Sequence, residues 1–365
     1  MASQHELSPA PDRLESIARL RAALAGTMAI TRYEFDDNGA VHLHGRLLVP
    51  PDHGYRALRP RMEQAGYTPY LLRHGSEHEV IALPGVIPRS TLNPNLNLVL
   101  LLATLASVIF TGSMYSDTGQ LDLGAGLLFA ASLMGILMTH EMGHYIVGRL
   151  RGAPVSLPYF IPLPIISLFG TLGAVIVQRE PFEDRPTLLE VGVAGPLAGL
   201  LVAAPLFAFG LTLSEVKPIP AGDLLYFGDS MLTRALVVMR YGVIGPETGV
   251  DVFLHPVAFG AWIGLFITGI NLIPAGQLDG GHIAYALLGE RARWLNWAMI
   301  GLFLALSLLV STSWLLWAGL LFLFGRSHPP ALNQAVGLEF RHYLLAVTAL
   351  LVLILVFVPN PITMM

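Results

Sequence analysis

Hydrophobic and polar positions change rhythm once along this chain, near Asn93. Before that point the apolar residues come in short, interrupted sets. Ile17, Leu20 and Leu24 have helical spacing, and the alternation over Ala29–Phe35 and Val41–Leu48 predicts two strands joined by the turn-forming Asp36-Asp37-Asn38-Gly39. Arg56–Ala65 predicts a second helix, and Tyr67–Arg73 and Glu79–Leu83 a second strand pair turning at His74-Gly75-Ser76. The order α-β-β-α-β-β describes a small α+β soluble domain over residues 1–93, and Pro84–Asn95 reads as a linker.

Beyond the linker the pattern turns almost continuously apolar. Segments suited to a bilayer are Leu98–Ile109 with flanks to Tyr115, Leu123–Leu150 and Thr187–Leu213. A fourth runs from Pro256 through a break at Asn271–Gly281 to Leu288, and Trp294–Val310, a short Trp314–Phe324 and Tyr343–Val358 follow. Ala153–Val177 holds too many prolines for a spanning helix and too few polar residues for a solvated loop, so it predicts a re-entrant stretch covered by protein. Leu172–Val177 has strand character, and either accepts an unwound substrate by strand addition at an exposed edge or simply packs against the core. The fold class expected is a polytopic α-helical membrane protein of six to seven transmembrane segments over residues 94–365, with its core at 123–290.

Loop charges suggest an orientation. With the N-terminal domain cytoplasmic, the inside connections carry Arg149, Arg151, Arg179, Arg185, Arg291, Arg293, Arg326 and Arg341, against Lys217, Arg234 and Arg240 outside. The acidic loop Ser116–Asp122, the Ser214–Asp251 loop with its amphipathic run Met231–Met239, and the C-terminus then lie outside. Composition agrees with a membrane protein, with 54% hydrophobic and 13% charged residues. No basic tract points to nucleic acid, and the absence of cysteine excludes disulfides and thiolate metal sites. Any metal must be held by His, Asp, Glu or water.

Candidate chemistry begins with His140-Glu141-Met142-Gly143-His144, which matches H-E-x-x-H. On a helix the two histidines share a face and can grip one zinc ion, with Glu141 as general base. A packed, non-catalytic histidine pair is the competing explanation, but ionisable groups within a membrane segment are costly and usually mark function. A catalytic zinc needs a third protein ligand and an open fourth position. Asp279 is the candidate, in a Pro- and Gly-rich stretch from Asn271 to His282 expected to be unwound at similar depth. His282 is expected beside the site rather than as a ligand, because a fourth protein ligand would close the water position. His255, before Pro256, is expected at a membrane edge. His5, His42, His44, His53, His74 and His78 are expected at solvated or turn positions, with only His42 and His44 sharing a strand face.

H-E-x-x-H in one apolar segment with N-x-x-P-x-x-x-x-D-G (Asn271–Gly280) in a later one resembles the site-2 protease family of intramembrane zinc metalloproteases. Gly195-Pro196-Leu197-Ala198-Gly199 is similar to the family's G-P-x-x-G element and Gly170–Gly173 to its G-x-x-G loop. With Gly325-Arg326-Ser327-His328-Pro329-Pro330, the chain is most similar to the plastid and bacterial branch typified by the EGY proteins. The resemblance implies that His140, His144 and Asp279 bind Zn2+, that Glu141 activates water, and that Asn271 holds the substrate or the oxyanion. It implies a metalloendopeptidase acting on transmembrane helical proteins in the lipid bilayer.

The alternative is a non-catalytic metal-binding scaffold or a transporter. No second H-E-x-x-H or N-x-x-P run marks the repeated halves of a transporter, and the intact Glu141 argues against a degenerate scaffold. No inserted PDZ-like module is visible, so substrate gating is expected to fall to the N-terminal domain. The lack of signal- or transit-peptide features favours a bacterial plasma membrane. Nothing in the residue pattern specifies an oligomeric state.

Overall fold

The computed structural model describes residues 13–87, 94–115, 120–165, 167–178, 180–220, 225–245, 248–324 and 329–364. His5, Arg179, Arg326, residues 116–119 of the acidic loop, residues 88–93 of the linker and the first four residues of the Gly325–Pro330 element lie outside the described residues. The chain forms two compact units, one gathering the region up to Arg89 with Glu180–Arg185 and Ala331–Gly337, the other holding the rest.

In the first unit, α1 (Arg13–Leu24), β1 (Met28–Phe35), β2 (Val41–Leu47), α2 (Pro51–Gln64), β3 (Tyr67–His74) and β4 (Glu77–Pro84) follow in the expected order. The strands make an antiparallel sheet ordered β1-β2-β4-β3. Strand alternation sorts its faces: Val41, Leu43, Leu71 and Val80 join Leu20 and Leu24 of α1 and Tyr55, Leu58 and Met62 of α2 in one core. Leu332, also fully buried, completes that core. Its carbonyl accepts from the Leu71 N–H at 2.8 Å, and the Gln334 N–H donates to Leu71 O at 2.8 Å, so the edge of β3 is capped by residues far along the chain. Within the same unit Arg59 pairs with Glu63 and Glu180, and Arg56 with Glu183.

The opposite sheet face corrects one expectation. His42, His44 and His74 are not simply solvated: His42 Nδ1 lies 2.6 Å from Glu79 Oε1, His74 Nε2 2.7 Å from Oε2, and His44 Nε2 4.0 Å from Oε1. Pairing of β2 and β3 with β4 brings these side chains to one buried carboxylate.

The second unit contains α3 (Pro94–Ser113), α4 (Leu123–Leu150), β5 (Tyr159–Pro162), β6 (Thr171–Val175) and α5 (Arg185–Thr212). Then come β7 (Glu215–Pro218), β8 (Leu225–Phe227), α6 (Met231–Tyr241), β9 (Val250–Phe253), α7 (Pro256–Asn271), α8 (Asp279–Leu288), α9 (Ala292–Leu309), α10 (Trp314–Phe324), α11 (Phe340–Val356) and β10 (Ile362–Met364). Four helical stretches among the described residues are long and apolar enough to cross a membrane: Asn95–Ser113, Leu123–Leu150, Arg185–Thr212 and Asp279–Leu309. Pro256–Asn271, Trp314–Leu323 and Phe340–Val356 are shorter apolar helices.

The proline-rich stretch after α4 folds as the β5–β6 hairpin, and side chains of α3 and of Tyr115 just beyond it bond carbonyls before β5 and in the β5–β6 loop. Asn97 donates to Leu157 O and Pro158 O, Ser107 to Gly170 O, and Tyr115 to Leu168 O. Irregular backbone is tolerated at membrane depth under such cover. The amphipathic run after α5 is α6, opened by a capping box at Ser230 and Thr233. β8 pairs with β10, which brings the C-terminal strand beside the Ser214–Asp251 loop.

The fourth predicted segment departs from expectation in where its helix resumes. Unwinding covers 272–278, and α8 already begins at Asp279, so Gly280 and Gly281 are helical. A Cβ on Gly280 would lie 2.0 Å from Leu272 O and one on Gly281 2.3 Å from Gly276 O. These glycines let the first turn of α8 close against the unwound loop rather than extend the unwinding.

Candidate metal centre

The central helix α4 starts at an Asp122 cap, whose side chain accepts from the Ala125 N–H, and carries His140, Glu141 and His144 as buried residues near its far end. The i,i+4 spacing stacks both imidazoles on one face, with ring centroids 5.0 Å apart. Asp279 arrives from the start of α8, and its carboxylate spans the pair: Oδ2 is 3.1 Å from His140 Nε2 and Oδ1 3.2 Å from His144 Nε2. One ligand atom from each residue lies within 4.8 Å of the others, the one such group found among the described residues.

The protonation of His144 follows from its other nitrogen. Nδ1 is 2.7 Å from the carbonyl oxygen of Val191 on α5, and a carbonyl only accepts, so Nδ1 carries a proton. Nε2 then either carries a second proton or turns a lone pair toward the Asp279 carboxylate. In the second state only a cation stabilises lone pairs facing each other at this distance, and two imidazole nitrogens with one carboxylate form a donor set that suits a zinc ion with an open position. The residues present fit the metal.

α5 approaches closely enough to make that hydrogen bond because of its glycines. A Cβ at Gly195 would sit 2.0 Å from His144 Nε2, and one at Gly199 3.1 Å from His140 Nδ1. The two glycines repeat the four-residue spacing of the two histidines, a correspondence visible in the sequence once the helices are known to pack face to face. Val191 left no comparable trace, since it acts through its backbone. Glu141 lies near the backbone N–H of Ile176, directly after β6.

Asn271 is the last residue of α7, half-buried, where the unwound loop to Asp279 begins. His282 sits in the first turn of α8, its Cβ facing Gly192 of α5, outside the three-residue metal group. His255 caps α7, accepting from the Val257 N–H.

Comparison with known proteins agrees with this geometry. The sequence profile of Peptidase family M50 matches residues 128–310, just over half of the chain. The chain is 31% identical over 373 aligned positions to "Probable zinc metalloprotease EGY2, chloroplastic" of Arabidopsis thaliana, with 95% of this chain and 65% of that protein covered. It is 29% identical to the protein of the same name from Oryza sativa subsp. indica, covering 88% and 62%. To "Probable zinc metalloprotease EGY1, chloroplastic" of Arabidopsis thaliana it is 34% identical, over 46% of this chain and 31% of that one. The chain therefore spans somewhat under two thirds of the two EGY2 proteins. No solved structure matches it.

Proposed function

Since the chain belongs to Peptidase family M50, the site-2 protease family, we propose that it is a zinc-dependent endopeptidase hydrolysing peptide bonds of helical transmembrane proteins within or near the bilayer. The observation that carries this is the meeting of His140, His144 and Asp279 at one buried point, from segments 139 residues apart, with Glu141 beside them. His140, His144 and Asp279 would hold the metal. Zinc, when bound there, supplies Lewis-acid polarisation of a carbonyl and acidification of water.

Glu141 acts as the general base. It takes a proton from the attacking water as the new C–O bond forms, then delivers it to the leaving nitrogen as the C–N bond breaks. Its carboxylate lies near the Ile176 N–H at the end of β6. The Val191 carbonyl keeps the His144 proton on Nδ1 and leaves Nε2 free to ligate. Asn271 donates to the developing oxyanion, a role its position at the mouth of the Asp279 loop supports.

The substrate enters as an extended strand. Among the described residues β6 pairs with β5 alone, and Leu172 and Val175 are exposed along it, so an unwound segment can add to its outer edge near Glu141. The N-terminal unit lies on the cytoplasmic side, as the loop charges favour. The relatives' names specify chloroplasts, which does not favour a bacterial plasma membrane; the apolar helices support a membrane location in itself.

The test is zinc content and cleavage of a model single-pass substrate by full-length wild type beside Glu141→Gln. Both should hold one zinc, with cleavage in the variant lower by about 10²–10⁴-fold. Zinc in both with cleavage by neither would move the non-catalytic scaffold to the front.

A further inference from the structure

A charge cluster whose carboxylate and imidazole are largely buried, with its guanidinium groups toward the surface, sits next to the residue that orients His144, and the metal centre as described makes no use of it. Glu190 of α5 has a side chain only 13% exposed, and it receives two N–H groups of Arg151, through Nε and Nη2. His342 Nε2 lies 3.2 Å from Glu190 Oε1. That imidazole carries its proton on Nε2, because its Nδ1 accepts from the Glu339 N–H at 2.8 Å. Arg341 stands 4.0 Å away. The carboxylate is therefore held by Arg151 just past the end of α4 and by His342 in the first turn of α11.

A carboxylate and an imidazole withdrawn this far from water are seldom kept for stability alone, since apolar replacements of similar volume often serve as well or better. This cluster has a specific neighbour. Val191, next in the chain, gives its carbonyl to His144 Nδ1, and Arg151 follows His144 by seven residues, two turns of the same helix. Glu190–Arg151 and Val191–His144 thus form two consecutive ties between α5 and α4. Gly195 leaves no slack between them, since even a methyl group there would overlap His144. A small rotation or slide of α5 would lengthen the Val191–His144 hydrogen bond or drive α5 into the imidazole.

We propose that Glu190, clamped by Arg151 and His342, is a positioning residue: it fixes α5 so that the Val191 carbonyl holds His144 in the tautomer and orientation that ligate the metal. The proposal rests on the metal assignment made above. Outer partners of metal-ligating histidines typically change metal affinity by about 10–100-fold when lost. Unlike those partners Glu190 never touches the imidazole, and it works through the neighbouring peptide group.

The experiment measures zinc affinity by chelator competition on the full-length protein, with helical content by circular dichroism and kcat and KM for the model substrate. Glu190→Gln keeps the shape and removes the charge. It should retain helical content while binding zinc about 10–100-fold more weakly, with kcat reduced at low zinc and KM unchanged. Arg151→Lys keeps charge but not the bidentate geometry, and should weaken zinc several-fold, which decides the matter if Glu190→Gln does not fold. The double variant Glu190→Gln/Arg151→Lys should bind zinc no worse than Glu190→Gln alone, as one shared tie demands. Glu215→Gln, at an exposed pair, is the control for loss of charge. Zinc affinity within twofold of wild type in folded Glu190→Gln or Arg151→Lys overturns the positioning role and leaves the protease assignment intact. Wild type that binds no zinc at this site removes both.

Discussion

His140 and His144 present Nε2 atoms to the two oxygens of Asp279 at 3.1 and 3.2 Å, while His42 and His74 meet the two oxygens of Glu79 at 2.6 and 2.7 Å. Both places join imidazoles to a carboxylate in largely apolar protein, yet only the first has a common vertex. There, one helix delivers both histidines on the same side of the carboxylate. In the N-terminal unit the strand order puts His42 on one side of Glu79 and His74 on the other, so the imidazoles bracket the carboxylate rather than converge. The residue types alone do not separate a metal site from a hydrogen-bonded carboxylate; the direction from which each donor arrives does.

The largest expected effect tests that distinction directly. His144→Ala should take bound zinc from one per chain to none, whereas His42→Ala or His44→Ala should leave it at one, measured by elemental analysis of the purified full-length protein. A second zinc that disappears with His44→Ala would break the comparison. Next come the glycines that shape only the first site. Gly195→Ala should weaken zinc by about 100-fold or more, because its methyl lies 2.0 Å from His144 Nε2, and Gly199→Ala should cost only a few-fold at 3.1 Å from His140 Nδ1. Equal losses in both variants would show that α5 yields as a whole.

Smaller effects belong to the second cluster. Glu79→Ala leaves His42 and His74 without their partner and should lower the stability of the N-terminal unit by about 1–3 kcal/mol, read from hydrogen exchange of β2 and β4 in the full chain. The smallest is a pH dependence. Burial alone would raise the Glu79 carboxyl, but hydrogen bonds from His42 and His74 and the nearby charges of His44 and His42 outweigh it and hold it below its ordinary value of 4.5. The unfolded chain therefore binds more protons between the two values. Glu79 contributes its stabilisation in full above the ordinary carboxyl range, and that stabilisation is lost as pH falls through its lowered value. After correction for intrinsic exchange rates, protection of β2 and β4 should decline below about pH 4.5 in wild type and less steeply in Glu79→Gln.

Much of this was legible in the residues, and the exceptions have physical reasons. Turns at Asp36–Gly39 and Gly75 punctuated the strands clearly, and the strand pattern needed only those breaks. His140, Glu141, His144 and Asp279 stood out because ionisable side chains are rare in apolar segments. The Glu79 cluster stayed hidden because alternation assigns a face but not a register, and only the pairing of β2, β4 and β3 brings His42, His74 and Glu79 together. Val191 contributes a backbone oxygen, which every residue possesses. Gly280 and Gly281 looked like helix breakers, but close approach to the carbonyls of Leu272 and Gly276 is what they permit.

Leu332 ties the folding of the first unit to the order of synthesis. The strands and helices of that unit leave the ribosome long before Leu332, but a fully buried core side chain and the cap on the β3 edge are not made until the chain has grown past Ala331. Through most of translation the nascent sheet carries an open edge and a vacancy in its core, the combination that invites mispairing. A recombinant fragment that stops before Ala331 would keep both defects permanently. Soluble production of this unit therefore calls for grafting Glu180–Arg185 and Ala331–Gly337 back onto it, in the manner of a split protein supplied with its missing strand.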